Sequence, residues 1–442
     1  MKPKNRRPPV RKPSVTIEKL SHEVRGIARH EGKTLFVDNA LPGETVKVQY
    51  TSSRSKFDEA VAVEVLQASP HRCEPLCRHA DVCGGCALQH MQSDAQIRAK
   101  QEILQDQLRR IGGLEVTEIL PPLVGEDFGY RRRARLGVRA SRRTGVIVGF
   151  REKRSNKLVP IEECPILAQN FDRHLAQLRR TLEDCAGRSH ISHIELALGE
   201  DTAAAVLRHL EPLPEADLER WRTFSGDTGL HIYLQPGDDQ SVRKLWPQDG
   251  DMLLQYTLPQ FDLAMRFHPL DFIQVNFPIN RKLVGLALTL LDPQADERLL
   301  DLFCGLGNFT LPLARRAREV VGVEGANALV QRGIGNADYN GLANAHFHTA
   351  DLTRDITKEP WARQGFDKIL LDPPRTGAHQ IVDQLARFGA SRVVYVSCNP
   401  ATLARDAALF SKLGYSLTKA GAVDMFPQTA HVESIALFER GK

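Results

Sequence analysis

No apolar run in this chain of 442 residues approaches the ~20 residues that cross a bilayer, so no membrane span is expected. The N-terminus, Met1-Lys2-Pro3-Lys4-Asn5-Arg6-Arg7-Pro8-Pro9, is basic, but no apolar stretch follows it to make a secretory leader. A cytoplasmic protein is expected. Internal repeats are absent, and so is low complexity beyond the first dozen residues. The net charge of +5 is too small for this length to indicate a nucleic-acid partner by itself. Hydrophobic residues make up 42% of the chain, enough for packed cores, and the length predicts two to four domains.

What the chain does have is unevenly distributed. Lys2, Lys4, Arg6, Arg7, Arg11 and Lys12 crowd a Pro-rich tail (residues 1–13) that reads as a disordered basic arm. Of eight cysteines, Cys73, Cys77, Cys83 and Cys86 share one short stretch, and Cys164, Cys185, Cys304 and Cys398 stand apart. In a cytosolic chain, such clustering argues for a metal centre rather than disulfides.

Residues 14–70 read as five short strands. These are the alternating run Val15–Leu20, a hairpin of Gly26–Arg29 and Lys33–Val37 about Glu31-Gly32, Thr45–Tyr50 after the turn Leu41-Pro42-Gly43-Glu44, and Phe57–Leu66. That density predicts a small OB-like barrel, a type that often binds single-stranded nucleic acid. A helix is expected over Asp94–Arg110, with Ser93 as N-cap and Gly112-Gly113 as stop. From about Tyr130 to Phe267 the chain looks β-rich, with strands at Arg133–Val138, Val146–Phe150 and His193–Leu198. The run Tyr130–Arg135 reads either as a grip for RNA phosphate or as a solvated strand face. From Asp271 onward, Arg298–Phe303, Glu319–Glu324, Phe366–Leu371 and Arg392–Ser397 alternate with helical stretches, which predicts a doubly wound parallel sheet.

Open parallel sheets bind ligands at the C-terminal ends of their strands. Four motifs are expected at that rim. In Asp301-Leu302-Phe303-Cys304-Gly305-Leu306-Gly307 the glycines allow close approach of a ligand. Glu324, seventeen residues after Gly307, ends the next strand and suits ribose hydroxyls. The third glycine of a dinucleotide fingerprint is replaced by Thr310, which disfavours a pyrophosphate and favours S-adenosylmethionine. Asp372-Pro373-Pro374-Arg375 forms a rigid lip, since two prolines fix the backbone. Cys398, in Ser397-Cys398-Asn399-Pro400, stands where a thiolate would add to C6 of a pyrimidine and make C5 nucleophilic. Glu433, in His431-Val432-Glu433-Ser434, offers a base for the C5 proton, and His431 is the alternative.

Cys77, Cys83 and Cys86 follow C-x5-C-x2-C spacing around Gly84-Gly85, and Cys164 is a distant fourth ligand. Spacing alone leaves zinc and iron–sulfur both open, with zinc favoured. The C-x3-C-x2-C spacing of a radical enzyme is absent.

Taken together, Asp271–Asn276, the Asp301–Thr310 turn, Asp372–Arg375, Ser397–Asp406 and His431–Ser434 closely resemble the RNA uracil-C5 methyltransferases. The likeness covers everything after the basic tail. It implies that residues 14–70 are a TRAM domain and that 71–92 with 126–268 form a central domain. It also implies a Rossmann-like methyltransferase domain from 93–125 with 269–442. By the resemblance, Cys77, Cys83, Cys86 and Cys164 hold a [4Fe-4S] cluster, in place of zinc. Cys398 is then the nucleophile and Glu433 the base. Gln274, Phe303, Asn308, Glu324, Asp351 and Asp372 contact S-adenosylmethionine; Asp351 stands where some relatives have Asn. Cys73 has no role in this scheme. TRAM, cluster and catalytic domain together are similar to the branch acting on 23S ribosomal RNA. A monomer without membrane partners is expected. Transfer RNA as substrate, or a non-catalytic RNA-binding assembly factor, are the alternatives.

Overall fold

The computed structural model describes residues 12–141 and 145–441. All but the last two residues of the basic tail lie outside them. The chain divides into two compact units. One holds the described residues up to Ile103 with Glu152–Ser155 and Phe426–His431; the other holds Leu104–Arg151, Asn156–Met425 and Val432 onward.

The first unit contains a six-stranded sheet in the order Ser14–Thr16, Thr45–Ser53, Phe57–Gln67, Lys33–Asp38, Gly26–His30, Lys19–Leu20. The two end strands are consecutive in the chain, so the sheet wraps onto itself as a barrel. The single run expected over Val15–Leu20 is two strands because its partner changes midway. The Ile17 N–H donates to the Glu44 carbonyl at 2.8 Å, and the Glu18 N–H to the Ile27 carbonyl at 2.8 Å. The hairpin turns at Glu31 (φ +48°) and Gly32 (φ +77°), as its sequence predicts. Period-two alternation buries Val15, Ile17, Ala28, Leu35, Val37, Val46, Val48 and Ala60 as one core. The helix Ser93–Gln107 is followed by a wider turn, Leu108–Gly112, and stops at Gly113 in a left-handed conformation.

The second unit carries two large sheets. One has seven strands and includes Arg133–Ser141, Gly145–Arg151 and Ile191–Leu198, the three expected runs. The other has eight, in the order Ala345–Thr349, Glu319–Glu324, Arg298–Leu302, Lys368–Leu371, Arg392–Ser397, Glu433–Arg440, Tyr415–Val423, Glu118–Ile119. The first five are parallel, and Glu433–Arg440 runs antiparallel beside Arg392–Ser397. Nearly every residue of the central strands is buried, as expected of a sheet covered on both faces.

A buried carboxyl rim beside a half-buried thiol

The five parallel strands end on one rim, and the expected motifs follow those ends. Phe303 (φ +62°), Gly305 (φ +56°) and Gly307 (φ +98°) form the turn after Arg298–Leu302. A Cβ on Gly307 would stand 3.0 Å from the Phe347 ring, so this turn admits only glycine there. Glu324 closes the neighbouring strand and accepts from the N–H groups of Gly305 (3.2 Å) and Ala326 (2.9 Å). It therefore braces the turn, and it remains partly exposed. The Asn308 side chain is largely spent inside the protein. Its oxygen accepts from Tyr256 Oη (2.9 Å) and Asn280 Nδ2 (2.8 Å), and its Nδ2 donates to Asn280 Oδ1 (2.9 Å). One Nδ2 hydrogen and the backbone are left to face a ligand. Asp351 is exposed, accepts from Thr353 N (3.0 Å) and Thr353 Oγ1 (2.6 Å), and pairs with Arg354.

The lip follows Lys368–Leu371. Gln274 Nε2 donates to Asp372 Oδ2 at 3.5 Å. Burial pushes the Asp372 carboxyl up to about 7, and the Gln274 bond opposes that rise. Cys398 follows Arg392–Ser397. Register pairs Ser397 with Ser434, so the next positions, Cys398 and Glu433, meet at the same edge. Glu433 is 3% exposed. Burial and then the Asp372 charge raise its carboxyl to about 8, against a downward pull from Arg375. Burial, then Glu433, then Asp372 push the Cys398 thiol up to about 11, and Arg375 pulls it down. Cys398, Glu433, Asp372, Arg375 and Gln274 are thus one electrostatic cluster. His431 is exposed.

One feature was not singled out from sequence. Asp301 is fully buried; it accepts from Thr310 Oγ1 at 2.6 Å, and burial raises it to about 8. Only its three-dimensional setting distinguishes it from any strand aspartate. The arginine run, read from sequence either as a grip for RNA phosphate or as a solvated strand face, is in part bound internally. Arg133 donates to the carbonyls of Asp271 (2.6 Å) and Leu270 (2.9 Å). Arg132 donates to the Gly199 carbonyl (2.6 Å) and lies over the Phe277 ring at 4.6 Å. Arg131 donates to the Arg133 carbonyl (2.9 Å), and Arg135 pairs with Glu195. Arg133 thereby braces the turn that leads to Gln274, because a half-buried fork is satisfied by carbonyls, whereas the Arg135 side chain stays largely exposed.

In the first unit, His79 N donates to Cys77 Sγ and Gly85 N to Cys83 Sγ, each at 3.4 Å. Burial raises the Cys83 thiol above its ordinary value, and the Gly85 amide opposes that rise. The Lys153 ammonium, which donates to the Ala80 carbonyl at 2.8 Å, stands near Cys83 and Cys86. The Cys73 thiol donates to the Gln89 carbonyl at 3.5 Å. Cys164 belongs to the second unit and is buried. Among the described residues, no three His, Cys, Asp or Glu side chains are grouped as a metal site, and no helix is long and apolar enough to cross a membrane.

Comparison with known proteins gives two family matches. Residues 92–441 match tRNA (uracil-5-)-methyltransferase, and residues 10–63 match the TRAM domain. The 23S rRNA (uracil(1939)-C(5))-methyltransferase RlmD of Hahella chejuensis is 52% identical over 430 residues, 96% of each chain. That of Alcanivorax borkumensis is 52% identical over 97% of this chain and 96% of its own. Among solved structures, the Pyrococcus abyssi tRNA (uracil-54, C5)-methyltransferase in complex with S-adenosyl-L-homocysteine superposes with a TM-score of 0.74 at 26% identity, covering 96% of this chain and 99% of that one.

Proposed function

Because this chain belongs to the tRNA (uracil-5-)-methyltransferase family, we propose that it methylates C5 of a uridine in 23S ribosomal RNA, the one equivalent to uracil 1939 of its relatives. The observation that carries the reading is the register of Ser397 with Ser434, which sets a thiol and a buried carboxyl side by side at the sheet rim. A lone thiol would serve many chemistries. A thiol with a carboxyl of raised pKa beside a glycine-turn cofactor cradle suits nucleophilic addition followed by proton removal.

S-adenosylmethionine supplies an electrophilic methyl group. The turn Phe303–Asn308 and Glu324 would hold its adenosine, Gln274 and Asp372 would face the reacting end, and Asp351 would be a peripheral acceptor. The Cys398 sulfur bonds to C6 of a uridine taken out of its stack. The C5–C6 π pair then moves to C5, which takes the methyl as the methyl–sulfur bond breaks and its electron pair stays on the sulfur of S-adenosylhomocysteine. Glu433 accepts the C5 proton, the C5–C6 bond re-forms and the S–C6 bond breaks. A carboxylate of raised pKa is a stronger base than an ordinary one.

The TRAM barrel and central sheet serve as RNA-binding surfaces in this reading. Cys77, Cys83, Cys86 and Cys164 hold a [4Fe-4S] cluster, for which the amide donors at Cys77 and Cys83 and the Lys153 charge are chemically suited. The cluster has no part in the transfer, which moves no unpaired electron. The protein acts in the cytoplasm as a monomer. Transfer RNA remains the second reading, since the Pyrococcus abyssi neighbour is a tRNA enzyme. The 52% identity to rRNA enzymes over nearly the whole chain favours 23S rRNA. Methylation of 23S and tRNA transcripts side by side decides: label in the 23S transcript alone supports the proposal, and label in tRNA alone replaces it.

A further inference from the structure

The loop after Asp372 is bound to the helix after Cys398 through a carboxylate that the reaction does not use. Asp406, on the helix Pro400–Lys412, is fully buried. Its Oδ2 accepts from the Ala378 N–H (2.7 Å) and from Tyr395 Oη (2.7 Å), and its Oδ1 accepts from Arg405 Nε (2.8 Å). Arg405 in turn donates through Nη2 to the Thr376 carbonyl at 2.8 Å. Asn399 Nδ2 (3.1 Å) and Thr402 Oγ1 (3.3 Å) both donate to the Arg375 carbonyl. Removing a carboxylate from water is expensive, and here it is offset by a full set of donors and an ion pair. Burial, followed by the Asp406 charge, raises the Tyr395 phenol, so it stays a donor.

Gly377 marks how tightly the parts fit. Its φ is +76°, and a Cβ there would lie 2.5 Å from Asp406 Oδ2 and 2.6 Å from Arg405 Nη2. The two ends of the lip are therefore held separately. Asp372 is fixed by its strand and Gln274, and the Arg375–Ala378 segment is fixed by the helix behind the nucleophile. Arg375 is the member of this loop whose positive charge reaches Cys398 and Glu433.

We propose that Asp406 and Arg405 are positioning residues, a latch that closes only over Gly377 and sets the reactivity of the Cys398 thiol by holding Arg375 beside it. The inference rests on the reading of Cys398 as the nucleophile. The charged and titratable groups facing that thiol are Glu433 from the neighbouring strand and Asp372 and Arg375 from the lip. The latch moves only the last of these.

The test reads alkylation of Cys398 by iodoacetamide in the full-length protein without RNA or methyl donor, followed by peptide mass spectrometry. It is independent of methyl transfer, so failure of the latch and failure of the functional reading are distinguishable. Arg375→Gln should slow alkylation at pH 8 about threefold or more, equivalent to about half a pH unit. Gly377→Ala, which removes no charge, should slow it similarly, and the double variant should match Arg375→Gln alone. Arg405→Lys keeps the ion pair but not the fork to Thr376, and should give a smaller slowing in the same direction. A purely structural role would lower thermal stability and leave the rate at Cys398 unchanged. Unchanged alkylation in folded Gly377→Ala or Arg405→Lys, or a slowing by Gly377→Ala that persists in the Arg375→Gln background, overturns the proposal.

Discussion

Ser434 donates its hydroxyl to the Ser397 carbonyl at 3.1 Å, and the two residues are direct partners across antiparallel strands. Each is followed or preceded by the residue that matters: Cys398 comes after one, Glu433 before the other. A parallel neighbour could not do this, because its first residue would lie at the opposite edge of the sheet. The one reversal of strand direction next to Arg392–Ser397 brings the start of a strand to the rim where the others end.

Glu433→Gln removes the base and keeps shape and burial. Addition and methyl transfer should proceed and release should stall. A protein–RNA adduct resistant to denaturing gels is expected, with turnover reduced about 100-fold or more. Free RNA at the normal rate would take Glu433 out of the role.

Both rate and stability should depend on pH, in opposite senses. Glu433 (about 8) and Asp372 (about 7) are raised above their unfolded values of 4.5 and 3.8, mainly by burial. The folded protein therefore holds more protons than the unfolded chain between about pH 4 and 8. This contribution is fully present below pH 4 and is lost as pH rises through the folded values. Thermal unfolding should show Tm falling from pH 5 to 9, and Glu433→Gln should gain about 2–4 °C over the parent at pH 9. The rate should rise across pH 6–8, as Glu433 ionises and the thiolate fraction of Cys398 grows. A rate that falls over that span would contradict the assignment.

Arg133→Met separates two uses of arginine. If Arg133 gripped phosphate, its loss would lower the salt slope of RNA binding by ~1. The hydrogen bonds to Leu270 and Asp271 predict otherwise: KM for S-adenosylmethionine rises about fivefold or more as the Gln274 turn loosens, and the salt slope is unchanged.

These outcomes mark how far the sequence could be read. Strand ends, the glycine turn, the lip and the thiol were legible because period, turn chemistry and spacing are local. The barrel strands were legible except where Ile17 and Glu18 change partners, a decision made by Glu44 and Ile27 from elsewhere in the chain. Tyr130–Arg135 stayed ambiguous because composition does not reveal whether a guanidinium meets solvent or a carbonyl. Asn308 likewise gave no sign that Asn280 and Tyr256 would claim its side-chain oxygen. Asp406 lay inside a motif that was noticed, but its fully buried contacts with Ala378 and Tyr395 depend on tertiary structure.

Protein purified without oxygen should be brown and carry about four irons per chain. Cys83→Ser should be pale and iron-poor. A colourless parent protein with one zinc would replace the cluster with a structural zinc site.

The most direct measurement is the mass of the enzyme after incubation with 5-fluorouridine-containing 23S rRNA fragment and S-adenosylmethionine. Fluorine at C5 cannot leave as a proton, so the covalent intermediate persists. The account predicts a methylated nucleotide linked to the peptide bearing Cys398 and none in Cys398→Ala. Methyl transfer to ordinary substrate with no linkage at Cys398 would contradict it.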